Sequence, residues 1–247
     1  MKSNNAIDVP DNKRGGNVLD FSRFQWLSFD CYGTLIDWES GIVGYLRPLL
    51  QSKSCHLTDA EILTLYSELE PRQQSGDYRS YRQVLAGVVR DFAHELHFDV
   101  TAAEAAGLSE SIRTWQPFAD TVPGLHRLHS RYKLAIVSNI DDDFFADSAR
   151  HLQVPFDAVV TAQQVRSYKP SLNHFDELLR RIAVPRERLL HVAESLYHDV
   201  VTARSLGIAT VWVNRREGKT AAASKLVAAQ PDLEVPDIGQ LADLALG

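Results

Sequence analysis

The chain has 247 residues, 45% hydrophobic and 23% charged, which suits one large globular domain or a core with a smaller companion. A formal net charge of -6 gives no electrostatic reason to bind nucleic acid or an anionic membrane surface. Two cysteines, Cys31 and Cys55, make neither a disulfide framework nor a zinc spacing. No apolar run approaches membrane length, and the first twenty residues are too polar for a signal peptide, so a reducing, cytoplasmic setting is expected.

Residues 1–20 carry Asn, Asp, Lys, Gly and Pro without hydrophobic period and read as a flexible leader. A first buried strand is expected over 24–29, ending at Asp30 and followed by Cys31-Tyr32-Gly33-Thr34-Leu35. A carboxylate there is held from behind by the strand and exposed by the glycine turn, at the sheet end where ligands bind. Residues 39–115 have no convincing strand but four helical patterns, 41–51, 58–70, 81–97 and 101–114. Thr58-x-x-Glu61 and Thr101-x-x-Glu104 fit capping boxes.

After Trp115-Gln116-Pro117-Phe118, apolar strands at 134–137, 158–160, 189–192 and 210–213 alternate with helices near 143–152, 173–183 and 198–206. The segment 230–236 and a short final helix are expected to close one edge. This pattern gives an α/β fold, a doubly wound parallel sheet formed by 21–38 and 116–247. The all-helical insert, 39–115, is placed as a cap over the active end because it starts a few residues beyond Asp30.

Polar groups fall at the carboxyl ends of four expected strands: Asp30, Ser138-Asn139, Lys169-Pro170, and Glu194-Ser195 with Asp199. A carboxylate can attack carbon or phosphorus and form an intermediate that water hydrolyses. Lys169 would keep Asp30 ionised, and Thr34, Ser138 and Asn139 would hold the departing group or developing anion. The acidic residues of the fourth loop would steady the lysine, activate water or bind Mg²⁺. Trp38 and Tyr45 are candidates for an apolar pocket wall, Trp26 and Trp212 for the core, and His191 for buried packing.

The pieces FDCYGTLID (29–37), VSNID (137–141), SYKP (167–170) and AESLYHDVVTARSLGI (193–208) resemble the haloacid dehalogenase superfamily of hydrolases. The resemblance runs through most of the chain from about residue 24. It implies a Rossmann-like core with a helical cap inserted after the first strand. It also implies catalytic roles for Asp30 as nucleophile, Lys169 and Asp199, with Thr34, Ser138 and Asn139 on the substrate. Phosphatases of the superfamily carry Asp two positions after the nucleophile, as general acid and base; here it is Tyr32. A phenol, with an ordinary pKa near 10, does not do that work at neutral pH. The Tyr-Gly-Thr-Leu form looks like the 2-haloacid dehalogenase branch, whose halide leaves unprotonated.

Two features depart from that branch. Glu194 and Leu196 stand where it places Ser and Asn, which makes the loop closer to the Mg²⁺-holding loop of the phosphatases. No counterpart of its cap arginine is evident, and Arg72, Arg79 and Arg82 are candidates for a substrate carboxylate, Arg79 foremost. The expectation is hydrolysis of a small 2-haloacid through an aspartyl intermediate, with Tyr32 also on the substrate and no cofactor required. Its alternatives are a Mg²⁺-dependent phosphatase, with Asp30, Tyr32, Glu194 and Asp199 around the metal, and a catalytically weak binding protein. A small-molecule substrate is expected in place of nucleic acid or membrane, with a homodimer left open.

Overall fold

The computed structural model describes residues 19–215 and 228–247. All but the last two positions of the leader lie outside the described residues; Asp20 accepts the backbone N–H of Ser22 and caps a short 3₁₀ turn at Phe21–Arg23.

Strand β1 is Trp26–Phe29, and α1 (Trp38–Ser52), α2 (Asp59–Gln74), α3 (Tyr81–Glu95) and α4 (Ala102–Ser111) follow it before the chain returns to the sheet. Both expected capping boxes form, and a third appears at Ser80 and Gln83. These signals are local, since each satisfies two orphan amides within one turn. Helix α2 passes the expected end at 70 and runs through Pro71, a residue that costs one backbone bond and not the whole helix when tertiary packing compensates.

The remaining elements are α5 (Thr121–His129), β2 (Lys133–Ser138), α6 (Asp142–Leu152), β3 (Ala158–Thr161), α7 (Ala162–Val165), α8 (Asn173–Ile182), β4 (Leu189–Ala193), α9 (Val201–Ser205), β5 (Ala209–Val213), β6 (Leu233–Val235) and α10 (Ile238–Leu246). Before α9, residues Leu196–Val200 form a π-helical turn. The six strands are parallel in the order β3-β2-β1-β4-β5-β6. β1 is therefore central, with β2 and β4 on opposite sides of it, and the chain reverses direction across the sheet at that point. The crevice beyond its carboxyl end is the place for a ligand.

Alternation of side chains splits the core in two. Leu27, Phe29, Leu134, Ile136, Leu190 and Val192 join the larger cluster, which also takes in helices of the insert, whereas Trp26, Ala135, Val137 and Leu189 face Phe175 and Leu178 of α8. No helix of the described residues is long and apolar enough to cross a membrane.

After β1 the backbone extends the ladder by one more bond, Asp30 N–H to the Val192 carbonyl at 3.1 Å, and then turns sharply. Gly33 has φ +95°, and a Cβ placed on it would lie 3.0 Å from Trp38 Nε1. Only glycine takes this conformation without strain. Gly33→Ala is expected to lower stability by about 1–3 kcal/mol, read from denaturant unfolding; an unchanged midpoint would show that the turn tolerates a side chain.

Candidate active site

The turn after β1 places Asp30 at the floor of a cavity of about 60 Å³, which Lys169, Asp199, Ser138, Asn139 and Tyr32 also line. Asp30 is 7% exposed. Its Oδ1 accepts from Lys169 Nζ at 2.8 Å and its Oδ2 from Thr34 Oγ1 at 2.9 Å. Thr34 Oγ1 in turn accepts the backbone N–H of Glu194 at 2.9 Å, so one hydroxyl joins the loops after β1 and β4.

Lys169 is buried and surrounded by acceptors. Nζ donates to Asp30, to Asp199 Oδ1 at 2.6 Å and to the Val137 carbonyl at 2.9 Å. Burial alone would strip its proton, but the carboxylates of Asp199 and Asp30 hold its pKa above the ordinary value. Asp199 is also buried, yet Lys169 and His191 hold its carboxyl down at about 2. Burial pushes Asp30 the other way, above the usual carboxylate range, opposed by Lys169 and reinforced by Asp199. The lysine is thus what keeps two adjacent carboxylates in one dry pocket. Asn139 fixes its backbone, accepting the Lys169 N–H at 2.7 Å and donating to its carbonyl at 3.3 Å.

His191, expected as buried packing, is buried but also wired to the site. Its Nε2 lies 3.0 Å from Asp199 Oδ1 and its Nδ1 2.9 Å from Ser28 Oγ. Trp212, expected in the core, is half-buried, and its indole N–H donates to the Glu194 carbonyl at 2.8 Å. The π turn carries both Asp199 and His198 to the cavity, with Ser195 Oγ accepting the His198 N–H at 3.1 Å.

Tyr32 lines the cavity but turns its hydroxyl to Ser148, and several other expected residues sit elsewhere. The hydroxyl of Tyr32 is 2.7 Å from Ser148 Oγ, and burial raises its pKa far above the usual phenol value, so it stays protonated. Arg79 does not line the cavity; its guanidinium is bonded to Gln73 and is exposed. Arg72 lies beside Glu68 and Glu95, and Arg82 pairs with Glu110 and Asp143 over the Phe144 ring. Trp38 does line the cavity, whereas the Tyr45 hydroxyl donates to the Glu104 carbonyl.

The roof comes from the insert and includes a residue that sequence reasoning missed. Glu70 of α2 is 8% exposed and lines the cavity with Gln74, Tyr81 and Trp38. Tyr81 Oη and Gln74 Nε2 each donate to Glu70 Oε1 at 2.9 Å. Burial raises its pKa to about 7, above the effect of its tyrosine partners. The insert is tied to the core by Asp141, whose two oxygens accept the N–H groups of Tyr81 and Arg82 at the start of α3, both at 2.9 Å.

A Mg²⁺ ion held by Asp30, Tyr32, Glu194 and Asp199 would need their oxygens turned on one point. Asp30 Oδ1 and Asp199 Oδ1 are instead aimed at the lysine ammonium, and among the described residues no three metal-ligating side chains come together. The residues as arranged do not form that set.

The profile of the haloacid dehalogenase-like hydrolases matches residues 27–213. The chain belongs to that family. It is similar to the (S)-2-haloacid dehalogenase H-109 of Pseudomonas putida, 27% identical over 88% of this chain and 96% of the relative. A glyceraldehyde 3-phosphate phosphatase of Methanothermobacter thermautotrophicus is 31% identical, over 40% of this chain and 45% of its own. Among solved structures, the L-2-haloacid dehalogenase of Xanthobacter autotrophicus with chloropropionic acid covalently bound superposes with a TM-score of 0.75 at 20% identity, covering 91% of this chain and 99% of that one. The match to the last is one of fold.

The family places this chain among hydrolases, and its buried acids give it a pH signature. Glu70, at about 7 against an ordinary 4.5, binds its proton more tightly folded than unfolded. Its stabilising contribution is complete below about pH 4.5 and is lost as pH rises through about 7, about 3 kcal/mol in all. His174 and His198, held by burial at about 3 and about 4, give the opposite slope below pH 6.5. The comparison is therefore between wild type and Glu70→Gln: their stability difference is expected to shift by that amount between pH 4.5 and 7.5. A constant difference across the window would place Glu70 in water.

Proposed function

We propose that the protein hydrolyses a small 2-haloacid through a covalent ester on Asp30. One carboxylate oxygen of Asp30 attacks the halogen-bearing carbon, and the halide departs with the bonding pair. Water then adds to the carbonyl carbon of the Asp30 ester, the 2-hydroxyacid leaves, and Asp30 is restored as carboxylate with one proton released to solvent. Lys169 keeps Asp30 charged in the first step and stabilises the oxyanion of the second. Ser138 Oγ, buried and without a partner among the described residues, is available to hold the substrate.

The observation that carries this reading is the pairing of Asp30, bonded to the Lys169 ammonium, with a phenol, Tyr32, that is bonded to Ser148 and stays protonated. A halide needs no acid at that position; an alkoxide does. The size of the cavity, about 60 Å³ where one water needs about 10–15 Å³, suits a substrate of a few heavy atoms. The relative matched over most of both chains carries a 2-haloacid dehalogenase name, while the phosphatase relative matches over 40% of this chain.

A second reading, a Mg²⁺-dependent phosphatase, is favoured by one detail: Asp199 Oδ2 is buried without a hydrogen-bond partner among the described residues. A panel of 2-haloacids and phosphomonoesters, with halide and phosphate both assayed, separates the two. Halide release unaffected by excess EDTA and reduced about 10³-fold or more in Asp30→Asn is expected. Phosphate release that EDTA abolishes would replace the first reading by the second.

A further inference from the structure

Three carboxyl groups line the cavity, and they are not equivalent. Asp30 and Asp199 share the Lys169 ammonium. Glu70 faces them from the insert, and its two hydrogen bonds at Oε1 come from neutral donors, Tyr81 and Gln74. Glu70 and Asp30 line the same cavity of about 60 Å³, a space that holds a water.

We propose that Glu70 is the proton-transfer residue of the hydrolytic half-reaction, an assignment that rests on the covalent Asp30 reading above. As a carboxylate it takes a proton from the water whose oxygen bonds to the ester carbonyl carbon. The tetrahedral adduct then breaks its bond to the substrate oxygen, and the neutral Glu70 returns the proton to that departing alkoxide. Asp30 is left as the acid, whose own proton passes to solvent, and the balance of one water consumed and one proton released is kept.

Competing bases are poorly suited. The Tyr32 phenol is bonded to Ser148, and Asp199 is held by Lys169 and His191. The His198 imidazole, bonded to Ser195 and held down at about 4, is a weak base at neutral pH. Glu70, pushed up by burial to about 7, is matched to proton exchange near neutrality. The titratable groups around it are Tyr66 and Tyr81 from the insert and Tyr168 from the core, and Asp30, Tyr32, Lys169, Asp199 and His198 share its cavity. Its position is set from the core, because Asp141 anchors the first turn of α3 and with it Tyr81.

The test is rapid-quench kinetics with 2-chloropropionate on the full chain. Glu70→Gln is expected to release one equivalent of chloride per protein, to accumulate the ester on the Asp30 peptide by mass spectrometry, and to lose about 10²–10³-fold in kcat. In wild type, kcat is expected to rise with pH through a midpoint near 7 or above, and in Glu70→Gln to be flat there. Turnover at the wild-type rate with the same midpoint overturns the assignment. So does loss of the chloride burst at unchanged melting temperature, since Glu70 would then act before the ester forms. If neither protein releases chloride or forms an adduct with any haloacid, the covalent reading fails first and the assignment with it. Should Glu70→Gln not fold, Tyr81→Phe, which removes a donor that lowers the Glu70 pKa, is expected to move the wild-type midpoint upward; an unmoved midpoint overturns the proposal.

Discussion

One ammonium group held between two buried carboxylates organises this site. Lys169 is bonded to Asp30 and Asp199 at 2.8 and 2.6 Å, and neither acid is tolerable there without it. Removing one partner from a buried ion set leaves an uncompensated charge, which costs about 3–5 kcal/mol, so the three side chains stand or fall together. They come from different loops, after β1, after β3 and after β4. Only the reversal of strand order around β1 brings those loops to one point. The sheet topology is in this sense a device for presenting a desolvated carboxylate with its counter-ion already in place.

The second constraint is that the cavity belongs to two parts of the chain. Its floor is the sheet end and its roof is α2 and α3. The join is electrostatic as well as apolar: Asp141 takes the amides that begin α3, and Tyr168 Oη donates to the Arg79 carbonyl at 2.8 Å. The proposed chemistry divides in the same way, with the covalent bond assigned to the floor and the proton transfer to the roof. Arg215 at the end of β5 adds a further clamp, bonding the Thr34 carbonyl and, through both terminal nitrogens, Asp120.

What could be read in advance was whatever local pattern decides. Strands β1 to β5 are mostly apolar, broken by single residues such as Ser28, His191 and Thr210, because both faces of the sheet are covered, and the capping boxes are four-residue signals. The strand-end pattern pointed to Asp30, Ser138, Asn139, Lys169 and Asp199, which the structure brings to one cavity, and to Thr34 and Glu194, which are joined beside it by a hydrogen bond. Helix α5 was hidden by Pro123 and Gly124, and β6 by its shortness. Glu70 was not legible, because between Glu68 and Arg72 it has the look of a solvated helix face and only the docking of α3 buries it. His191 was read as packing because a strand position says nothing of a partner eight residues later. Arg79 does not reach the cavity, because its guanidinium is held by nearby acceptors on Gln73.

The roof also bears on substrate charge. A haloacid carries its own carboxylate into a pocket with one cation already shared by two acids, and a neutral Glu70 can accept that company more readily than an ionised one. The central claim, however, is the covalent bond to Asp30, and labelled water tests it directly. During turnover in H₂¹⁸O, ¹⁸O is expected to enter the carboxyl group of Asp30, detected on its peptide, and the first product formed per protein to carry unlabelled oxygen. Label in the first product with none in Asp30 would mean that water attacks the substrate itself, and the account would be wrong.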